Sequence, residues 1–341
     1  MSAEAREALT HYAVGSLLSL DPAGGTAGRC WRVGTTAGRF LLRRRGSRTS
    51  SPEAMSFDHG LRRHLVVQGV PTSAPVAAIG GETWVVTGVG AFELHPFVEG
   101  RAFAREARQL TETALALARF HRAASCYAGR GTFTPAPAQF AMAAPEVGGT
   151  ARTDDPALIA AALRNRRERN PELAYAAEQA ARLAREYPAE LYAGLPRWLI
   201  HGDYHAGNLL YSETGTVIGV FDLDWACEDT RCRDLADLLY FFAGRRDGPV
   251  ECGRIESLTA AAEIDLGMAR SLLRSYQQVL PLAPEEVRAI PLAIRARWLA
   301  MRLEGSAKLP AERRDRFIGC ALGVPLQWVE RWGGELTRQL T

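Results

Sequence analysis

The stretch Leu199 to Trp225 constrains this chain more than any other. His201, Asp203 and Asn208 stand at H-x-D-x-x-x-x-N spacing, and Asp222 closes the apolar run Gly219-Val220-Phe221. Leu199-Ile200 and Leu209-Leu210-Tyr211 read as short buried strands flanking a loop. Ser212 to Gly215 reads as a turn, and Val217 to Phe221 as the returning strand of a hairpin. Such a hairpin brings Asn208 and Asp222 to neighbouring strand ends, where two hard oxygen ligands can share one cation. Asp203, in the loop, is then placed to orient a hydroxyl and take its proton. Two oxygen ligands for magnesium beside a carboxylate base are the parts that phosphoryl transfer requires.

These residues carry a resemblance. The string His201-Gly202-Asp203-Tyr204-His205, with Asn208-Leu209-Leu210 after it, the aspartate-terminated strand and the later Asp234-Leu235-Ala236 resemble the aminoglycoside phosphotransferase and choline kinase superfamily. The arm containing homoserine kinase and the spore-coat kinase-like proteins is the most similar. The resemblance implies an α+β, bilobal, protein-kinase-like fold. Residues 1–97 would form a nucleotide-binding N-lobe, an antiparallel sheet with one main helix. Residues 98–341 would form a mostly helical C-lobe with the catalytic hairpin, the metal site and the acceptor-binding helices. Only 12 residues separate Asp222 from Asp234, too short for the activation loop of a protein kinase, whose signatures read H-R-D and D-F-G. A small-molecule hydroxyl is therefore the expected acceptor.

Bulk properties fit this reading. The chain has 341 residues, 47% hydrophobic and 23% charged, with a net charge of +3, which suits a two-lobed globular protein and gives no basis for nucleic-acid binding. Six cysteines are scattered without a disulfide-framework or zinc spacing. There is no signal-peptide pattern or membrane-length apolar run, so a cytoplasmic protein away from membranes is expected. The sequence leaves oligomeric state open.

In the N-terminal hundred residues, Gly24 and Gly25 lie in a glycine-rich turn between two strands, where backbone N–H groups can approach phosphate. Gly38 to Arg45 reads as a strand ending in bases. The resemblance puts a phosphate-holding lysine on this strand, and Arg43 takes that place. Strand alternation turns Arg43 inward with Leu41 and leaves Leu42 and Arg44 on the other face. Phe57 to Gln68 reads as a helix, from which Asp58 is expected to hold Arg43, with Glu53 as the alternative. His95 to Val98, including Phe97, corresponds to the interlobe hinge that meets the adenine edge. Pro96 lacks an N–H, which leaves its neighbours as donors.

In the C-terminal part, Leu110 to Ala124 reads as a helix, and its end, Ala118 to His121, resembles the family's L-a-x-l-H, which implies that His121 ties the helix to the catalytic loop. Helices are expected over 156–168 and 171–187, and the Ala/Gly/Pro/Thr-rich stretch 126–153 reads as an insertion. Asp203 is the expected catalytic base, Asn208 and Asp222 the metal ligands, and His201 and Asp234 the braces of the loop. His205, Asp224 and Trp225 are candidate acceptor contacts, the alternatives being a solvated His205, an outer magnesium contact at Asp224 and a core-filling Trp225. The implied cofactors are ATP, with GTP open beside it, and magnesium. The acceptor could be an antibiotic, an amino-alcohol, a sugar or a related metabolite. The rival is a kinase-fold protein that binds nucleotide or metabolite without turnover, suggested by arginine at 43 and aspartate at 58.

Overall fold

The computed structural model describes residues 3–24, 29–46, 49–129, 154–246 and 254–340. Helix α1 (Ala3–Leu9) precedes strands β1 (Leu17–Pro22), β2 (Cys30–Thr35) and β3 (Gly38–Arg44). Helix α2 (Pro52–Val67) follows, then β4 (Val85–Thr87) and β5 (Gly90–Pro96). The five strands form one antiparallel sheet in the order β1-β2-β3-β5-β4. Alternation on β3 buries Leu42 with Trp31, Phe92 and Leu94 in a small core shared with Ala5, Ala8 and Leu9 of α1. Arg43 is left on the opposite face. Helix α2 starts at Pro52 rather than at Phe57, because Ser51 caps it by accepting the Ala54 N–H (3.2 Å) and Pro52 suits the first turn.

The rest of the chain is mostly helical. It comprises α3 (Ala107–Ala124), α4 (Pro156–Arg169), α5 (Ala174–Glu186), α6 (Ala189–Gly194), α7 (Cys232–Leu238), α8 (Ile255–Leu258), α9 (Leu266–Gln277), α10 (Pro284–Ser306), α11 (Ala311–Gly319) and α12 (Gly323–Arg338). Small two-stranded ladders interrupt it. β6 (Arg197–Ile200) pairs with β9 (Cys227–Thr230), β7 (Leu209–Tyr211) with β8 (Val217–Val220), and β10 (Gly244–Arg245) with β11 (Glu263–Ile264). The expected catalytic hairpin is therefore β7–β8, and β6–β9 clamps its base. One large apolar core runs from α2 and α3 through the hairpin to α9, α10 and α12. It supplies the burial that fixes short strands which could not stand alone. The stretch expected as an insertion lies largely outside the described residues.

Candidate active site

The loop between β6 and β7 is held by one carboxylate. Asp234, on the first turn of α7 and completely buried, accepts the His201 N–H (2.7 Å) and the Gly202 N–H (2.8 Å). It also bonds the His121 ring through Nε2 (2.9 Å), and His121 Nδ1 meets the Tyr276 hydroxyl (2.7 Å). Burial alone would raise the Asp234 pKa, but hydrogen bonding and charge from His121, then His201 and the Gly202 amide, hold it below the ordinary range. His201, also fully buried, bonds the Phe221 carbonyl (2.9 Å) through Nε2, while its Nδ1 accepts the Asp203 N–H (3.3 Å). Gly202 takes a positive φ of 80° and packs against the Trp225 carbonyl. Backbone, histidine and aspartate thus fix the peptide that carries Asp203.

Asp203 is the ionised group of the loop. Burial pushes its carboxyl up, but His205, with Nε2 3.5 Å from Oδ2, then Arg297 and His201, pull it well below the usual carboxylate range. His205 is raised in turn, since Asp203 outweighs the burial that would lower it. The His205 Nδ1 accepts the Gly207 N–H (3.0 Å), so the Nε2 edge faces Asp203. The His205 ring lies against Phe241, 5.4 Å between centroids.

Asn208 donates through Nδ2 to the Asp203 carbonyl (2.9 Å), which leaves its side-chain oxygen for another partner. The Phe221 N–H donates to the Asn208 carbonyl (2.9 Å), so the hairpin holds Asn208 and Asp222 at adjacent strand ends. Asp222 adopts a φ of +59°, a left-handed conformation uncommon for a non-glycine residue and concentrated at functional sites. An amide oxygen with no hydrogen-bond partner among the described residues, beside a half-exposed carboxylate, is a hard-oxygen donor pair that fits magnesium.

The sheet contributes a cluster of bases. Arg43 reaches Asp224 (2.8 and 3.0 Å), Asp222 (3.1 Å) and Glu93 (3.3 Å). The expected pairing of Arg43 with Asp58 is not formed. Asp58 is bound by Arg62 one turn along α2 (2.6 Å) and by Arg45 (2.7 Å). The shorter aspartate side chain is satisfied within reach of its own helix, and Glu53 is exposed. The Asp224 carboxylate is engaged by Arg43 and Arg45 on the sheet side.

At the expected hinge, the Phe97 N–H donates to the Arg39 carbonyl (3.0 Å), which removes Phe97 as a hinge donor. His95 is buried, with Nε2 3.6 Å from Glu93 and Nδ1 3.4 Å from Ser73. Gly24 has the positive φ (+78°) of a glycine turn with open space around it, whereas Gly25 lies outside the described residues. Trp225 is partly buried against Gly202.

Two site residues escaped the sequence reading. Glu93 faces Arg43 directly in the β3–β5 register and is completely buried; Arg45, and then the His59 and His95 rings, hold it well below the carboxylate range. A charged residue inside the apolar strand Phe92-Glu93-Leu94 was its signal. Arg45 shares the face of Arg43 by period-two alternation.

A braced loop carrying an ionised aspartate, an oxygen-ligand pair on a hairpin and a basic strand above them define a kinase-like phosphotransferase acting on small molecules. The chain belongs to the phosphotransferase enzyme family, whose model matches residues 21–270. It is 30% identical over 338 residues to a homoserine kinase of Chelativorans sp., covering 95% of this chain and 90% of that one. It is 27% identical over 317 residues to a homoserine kinase of Parvibaculum lavamentivorans, covering 86% and 81%. Among solved structures, an aminoglycoside phosphotransferase from Alicyclobacillus acidocaldarius superposes with a TM-score of 0.64 at 16% identity, covering 98% of this chain and 96% of that one. A microcompartment-associated aminopropanol kinase gives 0.61 at 18% identity, covering 99% of each. These two similarities establish the fold. Among the described residues, no helix is long and apolar enough to cross a membrane.

Proposed function

We propose that this protein transfers the γ-phosphoryl group of ATP, with magnesium, to the hydroxyl of a small amino-alcohol, homoserine being the first candidate. Residues 1–97 hold the nucleotide, and 98–341 hold the metal and the acceptor. The observation that carries the chemistry is the Asp203–Asn208–Asp222 arrangement on one braced loop and hairpin. The acceptor class rests on the near full-length similarity to homoserine kinases. Asp203, ionised at neutral pH, accepts a hydrogen bond from the acceptor hydroxyl, aims its oxygen and takes its proton as the phosphorus–oxygen bond forms. Asn208 and Asp222 hold magnesium, which when bound neutralises charge on the nucleotide phosphates. Arg43 contacts phosphate from above, and His205 keeps Asp203 ionised while facing the acceptor. Catalysis in such a site is positioning and charge stabilisation by groups fixed beforehand.

The test is acceptor-dependent ADP release across homoserine, other amino-alcohols, sugars and aminoglycosides, with wild type and Asp203→Asn. Turnover on one acceptor, and a fall in kcat of about a hundredfold or more in the variant at similar ATP affinity, is expected. Full turnover in Asp203→Asn refutes the assignment of the base. Magnesium-dependent nucleotide binding without turnover on any acceptor favours the non-catalytic reading.

A further inference from the structure

Arg43 has four hydrogens on its two terminal nitrogens, and all are committed. Nη1 donates to Asp224 Oδ1 (3.0 Å) and Glu93 Oε1 (3.3 Å); Nη2 donates to Asp224 Oδ2 (2.8 Å) and Asp222 Oδ1 (3.1 Å). Asp224 therefore takes both ends of the guanidinium in a two-pronged fork, the geometry that gives arginine–carboxylate pairs their directionality. Asp224 is itself fixed. Arg45 Nη1 donates to Oδ1 (2.7 Å) and the Thr49 hydroxyl to Oδ2 (3.3 Å).

Resting on the kinase reading above, we propose that Asp224 is the positioning residue that aims Arg43 at the nucleotide phosphates. This task was expected of a carboxylate on α2, but Asp58 is occupied by Arg45 and Arg62. Of the three carboxylates on Arg43, Asp222 has the most exposed side chain, 41% against 13% for Asp224 and 0% for Glu93. The Asp222 bond is the one that yields to a phosphate oxygen, while Asp224 and Glu93 hold the guanidinium plane. Lys308 is the chain's single lysine, and a lysine at 43 could not use the fork, because an ammonium is a point charge without paired donors.

Asp224 follows the catalytic hairpin, whereas Arg43, Arg45 and Thr49 belong to β3 and the segment after it. The phosphate-binding arginine is thus aligned only while the sheet and the hairpin segment are docked.

The experiment is a double-mutant cycle of Arg43→Lys and Asp224→Asn. It reads the binding of a non-hydrolysable ATP analogue with magnesium, then KM for ATP and for the acceptor, and kcat. Asp224→Asn is expected to weaken nucleotide binding by about tenfold, the scale of a hydrogen bond to a charged group, with little change in acceptor KM. The double variant should bind no worse than Arg43→Lys alone, because Asp224 acts through Arg43. Additive losses, or unchanged nucleotide affinity in Asp224→Asn, overturn the inference. Thr49→Val, which removes one hydroxyl from Asp224 and alters no charge, should give a milder loss of about two- to threefold. Unchanged affinity there overturns the inference even if Asp224→Asn folds poorly. A wild-type protein that binds no nucleotide instead refutes the kinase reading, so the two failures are separable.

Discussion

Replacing Asp234 by asparagine keeps the shape of the brace and removes its charge. Oδ1 accepts the Gly202 N–H (2.8 Å), while Oδ2 accepts the His201 N–H (2.7 Å) and bonds His121 Nε2 (2.9 Å). An amide has one oxygen. With that oxygen in the Oδ2 position, its NH2 faces the Gly202 N–H, and one charge-assisted bond becomes a donor against a donor. The two surviving bonds lose their ionic partner. A hydrogen bond to a charged group is worth about 1.5–3 kcal/mol and an orphaned buried donor costs about 1–3, so the substitution should cost about 3–5 kcal/mol. For a chain of 341 residues, that lowers Tm by about 5 °C. Thermal melts and urea titrations measure the loss. Because the same bonds fix the peptide before Asp203, kcat should fall further than the affinity for ATP. A variant whose Tm lies within about 1 °C of wild type, with unchanged kcat, would show that the brace is not what holds the loop.

Three further outcomes are expected. Gly202→Ala must fit a side chain at a φ of +80° against the Trp225 carbonyl; it should cost about 2 kcal/mol or more and lower both Tm and kcat, and a neutral substitution refutes the tight fit. Removal of divalent cations by a chelator should abolish turnover and magnesium should restore it, with Asp222→Ala raising the magnesium needed for half-maximal rate; chelator-resistant turnover argues against the oxygen-ligand pair. Asp237, buried beside Arg297 (2.7 Å), is pushed up to about 7, first by burial against the pull of Arg297, then by Asp203 and Asp234. A carboxyl raised on folding binds more protons in the native state, so its contribution is lost as pH rises from about 4 to about 7. Asp237→Asn should accordingly gain in Tm relative to wild type between pH 5 and pH 8; a Tm difference independent of pH would refute the raised pKa.

The hairpin and the geometry of its loop were legible in the sequence, because both depend on short-range order. Apolar runs of three to five residues bounded by Ser-Glu-Thr-Gly can do little but pair, and pairing carries Asn208 to Asp222. The role of His121 as a tie came from the resemblance of the helix end to the family pattern, and its bond to Asp234 (2.9 Å) agrees with it. Alternation on β3 also placed Arg43 correctly opposite Leu42. What failed was the choice of partner for Arg43. Asp58 was matched to Arg43 by position in a pattern, yet a side chain one methylene shorter than glutamate is captured by Arg62 on its own helix. Asp224 was read only as a neighbour of the chemistry, and its contacts with two arginines of the sheet went unforeseen.

The sequence by itself determined that this chain builds a carboxylate-and-amide loop on a hairpin and, separately, a basic strand, since spacing and periodicity act within about twenty residues. Which carboxylate aims which arginine was decided only by the tertiary structure. Arg43 and Asp224 are 181 positions apart, and their pairing depends on how the sheet docks on the hairpin segment. In that low-dielectric interface each buried charge must find the nearest opposite charge that geometry allows, and no local pattern records which one that is.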